Sequence, residues 1–108
     1  MVVLELQSEG EFTTKLQEAG DKLVVVDFFA TWCQPCKMIK PKFTEFSEKY
    51  TDMIFCSIDV DEVEDAAQSK DVKSLPTFII FKCEKEVKRI IGSSVTALES
   101  AIKEAREM

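Results

Sequence analysis

A chain of 108 residues, 45% of them hydrophobic, carries enough apolar material for one ordinary globular domain spanning residues 1–108 without disulfide staples. With 20 acidic against 14 basic residues the net charge is −6, and Lys82, Lys85, Lys88 and Arg89 are interleaved with acids and apolar residues, so nucleic acid is not an expected partner. There is no basic-then-apolar leader, no apolar run long enough to cross a bilayer and no carboxyl-terminal retention signal; the expectation is a cytoplasmic protein with no membrane partner.

Strand-like and helix-like stretches alternate along the chain, which predicts an α/β sandwich around a central sheet. Val2 to Leu6 reads as a short first strand. Ser8, with Glu11 three residues later, makes a capping-box start for a helix carrying Phe12, Leu16 and Ala19 on one face, and Gly20 should stop it. Leu23 to Phe29 is apolar on both sides, as a central strand covered by helices on both faces would be. Beyond it Ile39, Phe43, Phe46 and Tyr50 follow helical spacing, with Pro41 expected to kink that helix. Met53 to Val60 reads as a third strand, and Val63, Ala66 and Ala67 mark a short helix. Thr77 to Cys83 and Glu86 to Ile91 read as two strands joined by a tight turn. Gly92, Ser93 and Ser94 lead into a last helix with Val95, Leu98, Ile102 and Ala105 on its buried face.

The chemistry is concentrated at Trp32-Cys33-Gln34-Pro35-Cys36-Lys37, directly after the central strand. Cys-x-x-Cys at a strand-to-helix junction brings two sulfurs onto one helical turn, close enough to bridge, and predicts a reversible dithiol/disulfide centre. A helix beginning near Cys33 would stabilise a thiolate there through its unpaired N–H groups and positive dipole end, making Cys33 the attacking nucleophile. Cys36, one turn further in and expected to be less exposed, would resolve the mixed disulfide. Pro35 fits a first helical turn, where a missing N–H costs nothing. A zinc site would need two further ligands, whereas histidine is absent and only the isolated Cys56 and Cys83 remain.

Val26-Asp27-Phe28-Phe29-Ala30-Thr31-Trp32-Cys33, Pro35-Cys36-Lys37, Pro41, Asp59-Val60-Asp61, Leu75-Pro76-Thr77-Phe78 and Gly92 occur in an order and spacing by which the chain resembles the thioredoxin family over essentially its whole length. The resemblance implies the thioredoxin fold, a central mixed sheet of about five strands flanked by four helices. It implies a thiol–disulfide oxidoreductase that reduces protein disulfides through Cys33 and Cys36, with no bound cofactor or metal. Electrons would come from NADPH through thioredoxin reductase, and clients would include proteins such as peroxiredoxins or ribonucleotide reductase. A monomer is expected. The resemblance also implies that Pro76 is cis and lies against the cysteines.

Asp27 stands in an otherwise apolar central strand, where an ionised carboxylate is costly unless paired, so its pKa should be raised. The residue types alone allow a carboxyl kept only for a hydrogen bond, or one that is solvated; the resemblance implies a proton acceptor and donor for Cys36. Trp32, Gln34, Pro35, Leu75, Pro76 and Gly92 are the expected client-binding rim, with the backbone of Leu75 pairing with an extended segment.

The sequence departs from the common family pattern at four places. Gln34 replaces a Gly between the cysteines, Phe29 stands where many members carry Trp, and Cys83-Glu84-Lys85-Glu86 lacks a turn Gly, predicting a longer or irregular hairpin. Ser57 occupies the place of a lysine that lies near the buried Asp in bacterial members, leaving lysine tuning of Asp27 without its expected source. Cys56 reads as a small buried hydrophobe, Cys83 as a thiol at a strand end, and Asp59 to Asp65 as a solvated helix start. Two further readings compete with the reductase: a more oxidising disulfide oxidase or isomerase, tuned by Gln34, and a redox-gated binding module whose reduced rim holds a partner.

Overall fold

The computed structural model describes residues 3–108, so the expectation for Val2 lies outside the described residues. In chain order the elements are Val3–Glu5 (β1), Glu9–Ala19 (α1), Val24–Phe29 (β2), Gln34–Lys49 (α2), Ile54–Asp59 (β3), Glu64–Ser69 (α3), Thr77–Lys82 (β4), Lys85–Ile91 (β5) and Val95–Arg106 (α4). The strands form one mixed sheet in the order β1-β3-β2-β4-β5, with β1, β3 and β2 mutually parallel and β4 antiparallel to both β2 and β5.

Because side chains alternate across a strand, β2 feeds two cores at once. Val24, Val26 and Phe28 join Ile79 and Phe81 of β4 under α1 and α3, where Phe12, Leu16 and Ala66 pack. Val25 joins Phe55, Phe78 and Ile80 under α2 and α4, against Ile39, Phe43, Phe46, Leu98 and Ile102. Asp27 shares the parity of Val25 and therefore faces α2. The same arithmetic that buries the valines puts a carboxyl group beneath the helix that carries the cysteines.

The helix ends follow their sequence signals. Ser8 accepts the N–H of Glu11 at 3.1 Å, while the Glu11 carboxylate reaches back to the N–H of Gln7 at 2.8 Å, one residue before the position a strict capping box would use. Gly20 closes α1 with a left-handed φ of 59°. Ser94 caps α4 by accepting the N–H of Ala97 at 3.1 Å.

The hairpin has the expected tight turn and an irregular register, but not the extra length that the missing Gly predicted. Its connection is a tight two-residue turn, with Lys82 opposite Lys85, and Cys83 and Glu84 both adopt left-handed φ values of 51° and 67°. That is the backbone a two-residue hairpin demands, taken without glycine at a cost of about 1 kcal/mol per residue. The irregularity sits in the strands: Ile80 faces Lys88 but Phe81 faces Glu86, leaving Val87 as the extra residue of a β-bulge. Among the described residues no helix is long and apolar enough to cross a membrane.

Candidate active site

β2 ends at Phe29, and Ala30-Thr31-Trp32 carries the chain to Cys33, the N-cap of α2. Cys33 has an extended backbone (φ −85°, ψ 109°), and its Sγ accepts the N–H of Cys36 at 3.2 Å. Pro35 occupies the first turn, as expected. The two cysteines form a disulfide with a Cα–Cα distance of 5.3 Å. A sulfur in the N-cap position of a 16-residue helix receives one of its orphan N–H groups and the positive end of its dipole, so the reduced form has a thiolate-stabilising environment at Cys33.

Exposure does not distinguish the two sulfurs, contrary to expectation: Cys33 and Cys36 are each 4% exposed. Sidedness does. Cys33 lines a shallow groove with Trp32, Gln34, Pro35, Val60 and Leu75. Cys36 lines a separate cavity of about 280 Å³ together with Asp27, Phe29, Lys40 and Ser57. Cys33 borders the groove beside Trp32, and Cys36 borders the cavity that also holds the Asp27 carboxyl.

Asp27 is 5% exposed, and its Oδ1 has no hydrogen-bond partner among the described residues. Burial pushes its pKa up to about 7, against a smaller opposing pull from the positive charge of Lys40. Lysine tuning of the buried carboxyl therefore survives the loss of a lysine at Ser57. Its source has moved to α2, where Cys36, Lys40 and Thr44 recur at four-residue spacing over the same cavity. That spacing was the signal available in the sequence. Lys40→Met should raise the Asp27 midpoint above 7 by about half a pH unit, the scale of one solvent-screened charge, measurable by carboxyl NMR titration.

The expected client rim is brought together in part. Trp32 is 68% exposed, so it is not a core residue, and its indole Nε1 donates to Asp61 at 2.8 Å, which fixes the ring beside Cys33. Asp59 is buried rather than solvated, and its carboxylate accepts the N–H of Asp61 to hold that loop. Leu75 lines the groove with Val60, read from the sequence only as a strand end and part of the Asp59-Val60-Asp61 motif, and with Val72 and Lys73, which sequence reading did not single out. Leu75–Pro76 is cis. Pro76 is buried, and its carbonyl accepts the N–H of Gly92 at 2.9 Å. These two residues bind one another and lie outside the groove lining.

The thioredoxin family model matches residues 2–104. The chain belongs to the thioredoxin family. Thioredoxin-2 of Saccharomyces cerevisiae is 52% identical over 101 residues, covering 94% of this chain and 96% of that one. Among solved structures, Fasciola hepatica thioredoxin superposes with a TM-score of 0.93 at 35% identity, over 94% of this chain and 98% of that one. A thioredoxin f2 solved in complex with ferredoxin:thioredoxin reductase superposes with a TM-score of 0.92 at 39% identity, over 96% and 94% of the two chains. With the five-stranded mixed sheet, the four helices and the Cys33–Cys36 disulfide, the fold is the thioredoxin fold and the activity that of a thiol–disulfide oxidoreductase reducing protein disulfides.

Against the family pattern, Phe29 is half-buried and lines the Asp27 cavity, where it supplies apolar surface without an indole donor. Gln34 is exposed at the first position of α2. Outside the site, Cys56 is fully buried in β3 and its thiol is pushed up to about 11 by that burial, which makes it inert as a nucleophile at neutral pH. Cys83 is an exposed free thiol at the hairpin turn.

Proposed function

We propose that Cys33 Sγ attacks client disulfides, Cys36 resolves the mixed disulfide and Asp27 manages the proton of Cys36. The Cys33 thiolate attacks one sulfur of the client disulfide, and the other client sulfur leaves as a thiolate. The mixed disulfide places the Cys33 sulfur within reach of Cys36 on the same helical turn. Cys36 gives its proton to the Asp27 carboxylate across their shared cavity, whose volume far exceeds the ~10–15 Å³ that one relaying water needs. The Cys36 sulfur then attacks Cys33, the second client thiolate departs, and the internal disulfide closes. Two electrons have passed to the client. The division of the two sulfurs between groove and carboxyl cavity is the observation that carries this assignment.

A base working near neutrality should titrate near neutrality, and Asp27 meets that condition at about 7. Trp32, Gln34, Pro35 and Leu75 form the client surface next to the nucleophile. Pro76 and Gly92, joined by a backbone hydrogen bond, complete that surface by resemblance to the family. A thioredoxin reductase is the electron donor, a reading supported by the similar thioredoxin f2 that was solved with ferredoxin:thioredoxin reductase, and NADPH as the source of its electrons rests on the family resemblance alone. Clients are disulfide-bearing proteins of the peroxiredoxin and ribonucleotide reductase kind, and the working state is a monomer in the cytosol, in keeping with Cys56 and Cys83 as free thiols.

Alkylation of the reduced protein by iodoacetamide across pH 5 to 10, mapped by mass spectrometry, tests the assignment. Modification should fall on Cys33 with a midpoint below the ordinary thiol value of about 8.5, leaving Cys36 protected. Preferential modification of Cys36 would reverse the two roles.

A further inference from the structure

The segment between α3 and β4 supplies Val72, Lys73 and Leu75 to the groove, yet it belongs to neither element. Something must hold it. α3 ends at Ser69, and Asp71 turns the chain with a left-handed φ of 55°. The carbonyls of Ala66, Ala67 and Gln68 are satisfied by the backbone N–H groups of Lys70, Val72 and Asp71. Beyond Ser69, the carbonyls of Lys70 and Asp71 accept from the Arg89 guanidinium at 2.6 and 3.3 Å. The same guanidinium is gripped from its other side by both carboxylate oxygens of Glu86, at 2.8 and 2.9 Å.

The bulge makes this arrangement possible. In a regular strand, residues 86 and 89 would point to opposite faces of the sheet. With Val87 extra, Glu86 lies opposite Phe81 and Arg89 opposite Ile79, two residues of one parity that both pack on the α1/α3 side. Val87 packs on the other side, and Lys88 there reaches Glu104 of α4 at 2.8 Å. A single inserted residue thus turns an acid and a base onto one face as a preformed fork beneath the end of α3.

The geometry points to Arg89, held by Glu86, as a positioning residue that fixes the 70–75 segment and so shapes one wall of the client groove. Arg89 touches neither cysteine and takes no part in disulfide exchange. Its effect is to pre-order a surface that an extended client must meet, which lowers the ordering cost of binding without altering the chemistry at sulfur. This rests on the proposed reading of the groove as the client surface.

Arg89→Ala should accelerate amide hydrogen exchange in residues 71–75 by about tenfold, the segment then opening locally without global unfolding. In the same variant the KM for insulin, reduced with NADPH and excess thioredoxin reductase, should rise by about three- to tenfold with kcat unchanged, as expected when pre-ordering is lost. Reduction of the small disulfide 5,5′-dithiobis(2-nitrobenzoate), which needs no extended groove, should stay at the wild-type rate. Glu86→Gln, which loosens the fork while keeping the guanidinium, should show the same split more weakly, and it serves if Arg89→Ala does not fold. Unchanged exchange in 71–75 would overturn the clamp. Faster exchange with an unchanged insulin KM would overturn the placing of this segment in the client surface, and an equal fall in rate toward both disulfides would show a general disturbance of the site.

Discussion

Cys36→Ser is expected to convert the protein from a catalyst into a trap. Cys33 keeps its place as N-cap of α2, with the helix N–H groups and dipole that favour its thiolate, so attack on a client disulfide proceeds. Without a second thiol on the same turn, the mixed disulfide cannot be displaced from within. Turnover should fall by about three orders of magnitude, the scale seen when one member of a catalytic unit is removed, while covalent complexes accumulate. Non-reducing electrophoresis and intact mass, before and after dithiothreitol, read the outcome. Cys33→Ser should show the same loss of turnover with no trapped complex, because its remaining thiol faces the Asp27 cavity rather than the groove. Trapping by the Cys33 variant instead of the Cys36 variant would contradict the sidedness on which the roles rest.

Asp27→Asn should stabilise the protein and slow it. The carboxyl titrates near 3.8 when free and at about 7 in the folded state, because burial disfavours its charge. Below about pH 3 it is protonated in both states and folding is indifferent to it. As pH rises toward 7 the unfolded chain releases a proton that the folded chain still holds, so the folded state loses stability over that window. A displacement of about three pH units corresponds to roughly 4 kcal/mol at pH 8. Asparagine fills the same space and cannot ionise, so its advantage over the parent should be small at pH 4 and grow to roughly that size by pH 8. Urea unfolding of the oxidised forms at the two pH values measures it. The same substitution removes the proton acceptor, and release of the mixed disulfide at pH 7 should slow by about 10- to 100-fold. A pH-independent stability difference would show that the carboxyl is not held near 7, and unchanged release would remove it from the mechanism.

Much of this architecture is visible in the residues because the physics that sets it is local. Leu23 to Phe29 must be covered on both faces, and the observed β2 sits in the middle of the sheet. Ser8, Gly20 and Ser94 mark helix ends through capping and left-handed backbone. The Cys-x-x-Cys spacing predicts a bridge, and the bridge is there. What sequence reading missed depends on which strand faces which. The equal burial of Cys33 and Cys36 reflects two different cavities, one on each side of the α2 N-terminus. Lys40 reaches Asp27 only because strand parity turns that carboxyl toward α2. The left-handed backbone of Cys83 and Glu84 runs against the propensity of both residues, and the bulge at Val87 follows from a register no single strand contains. Arg89 meets the backbone of Lys70 and Asp71 across 19 and 18 residues of sequence, a contact that no local pattern announces. Pro76 and Gly92 are joined by a backbone hydrogen bond that spans 16 residues of sequence and that neither residue announces.

The central claim is that Cys33 and Cys36 cycle electrons from a reductase to protein disulfides. Its most direct test is the stoichiometry of NADPH consumption with thioredoxin reductase and insulin, for the intact protein and for Cys33→Ser. One NADPH consumed per insulin disulfide cleaved, sustained over many turnovers and abolished in the variant, is the predicted result. Sustained consumption by the Cys33 variant, or none by an intact protein whose 33–36 disulfide the reductase can open, would contradict it.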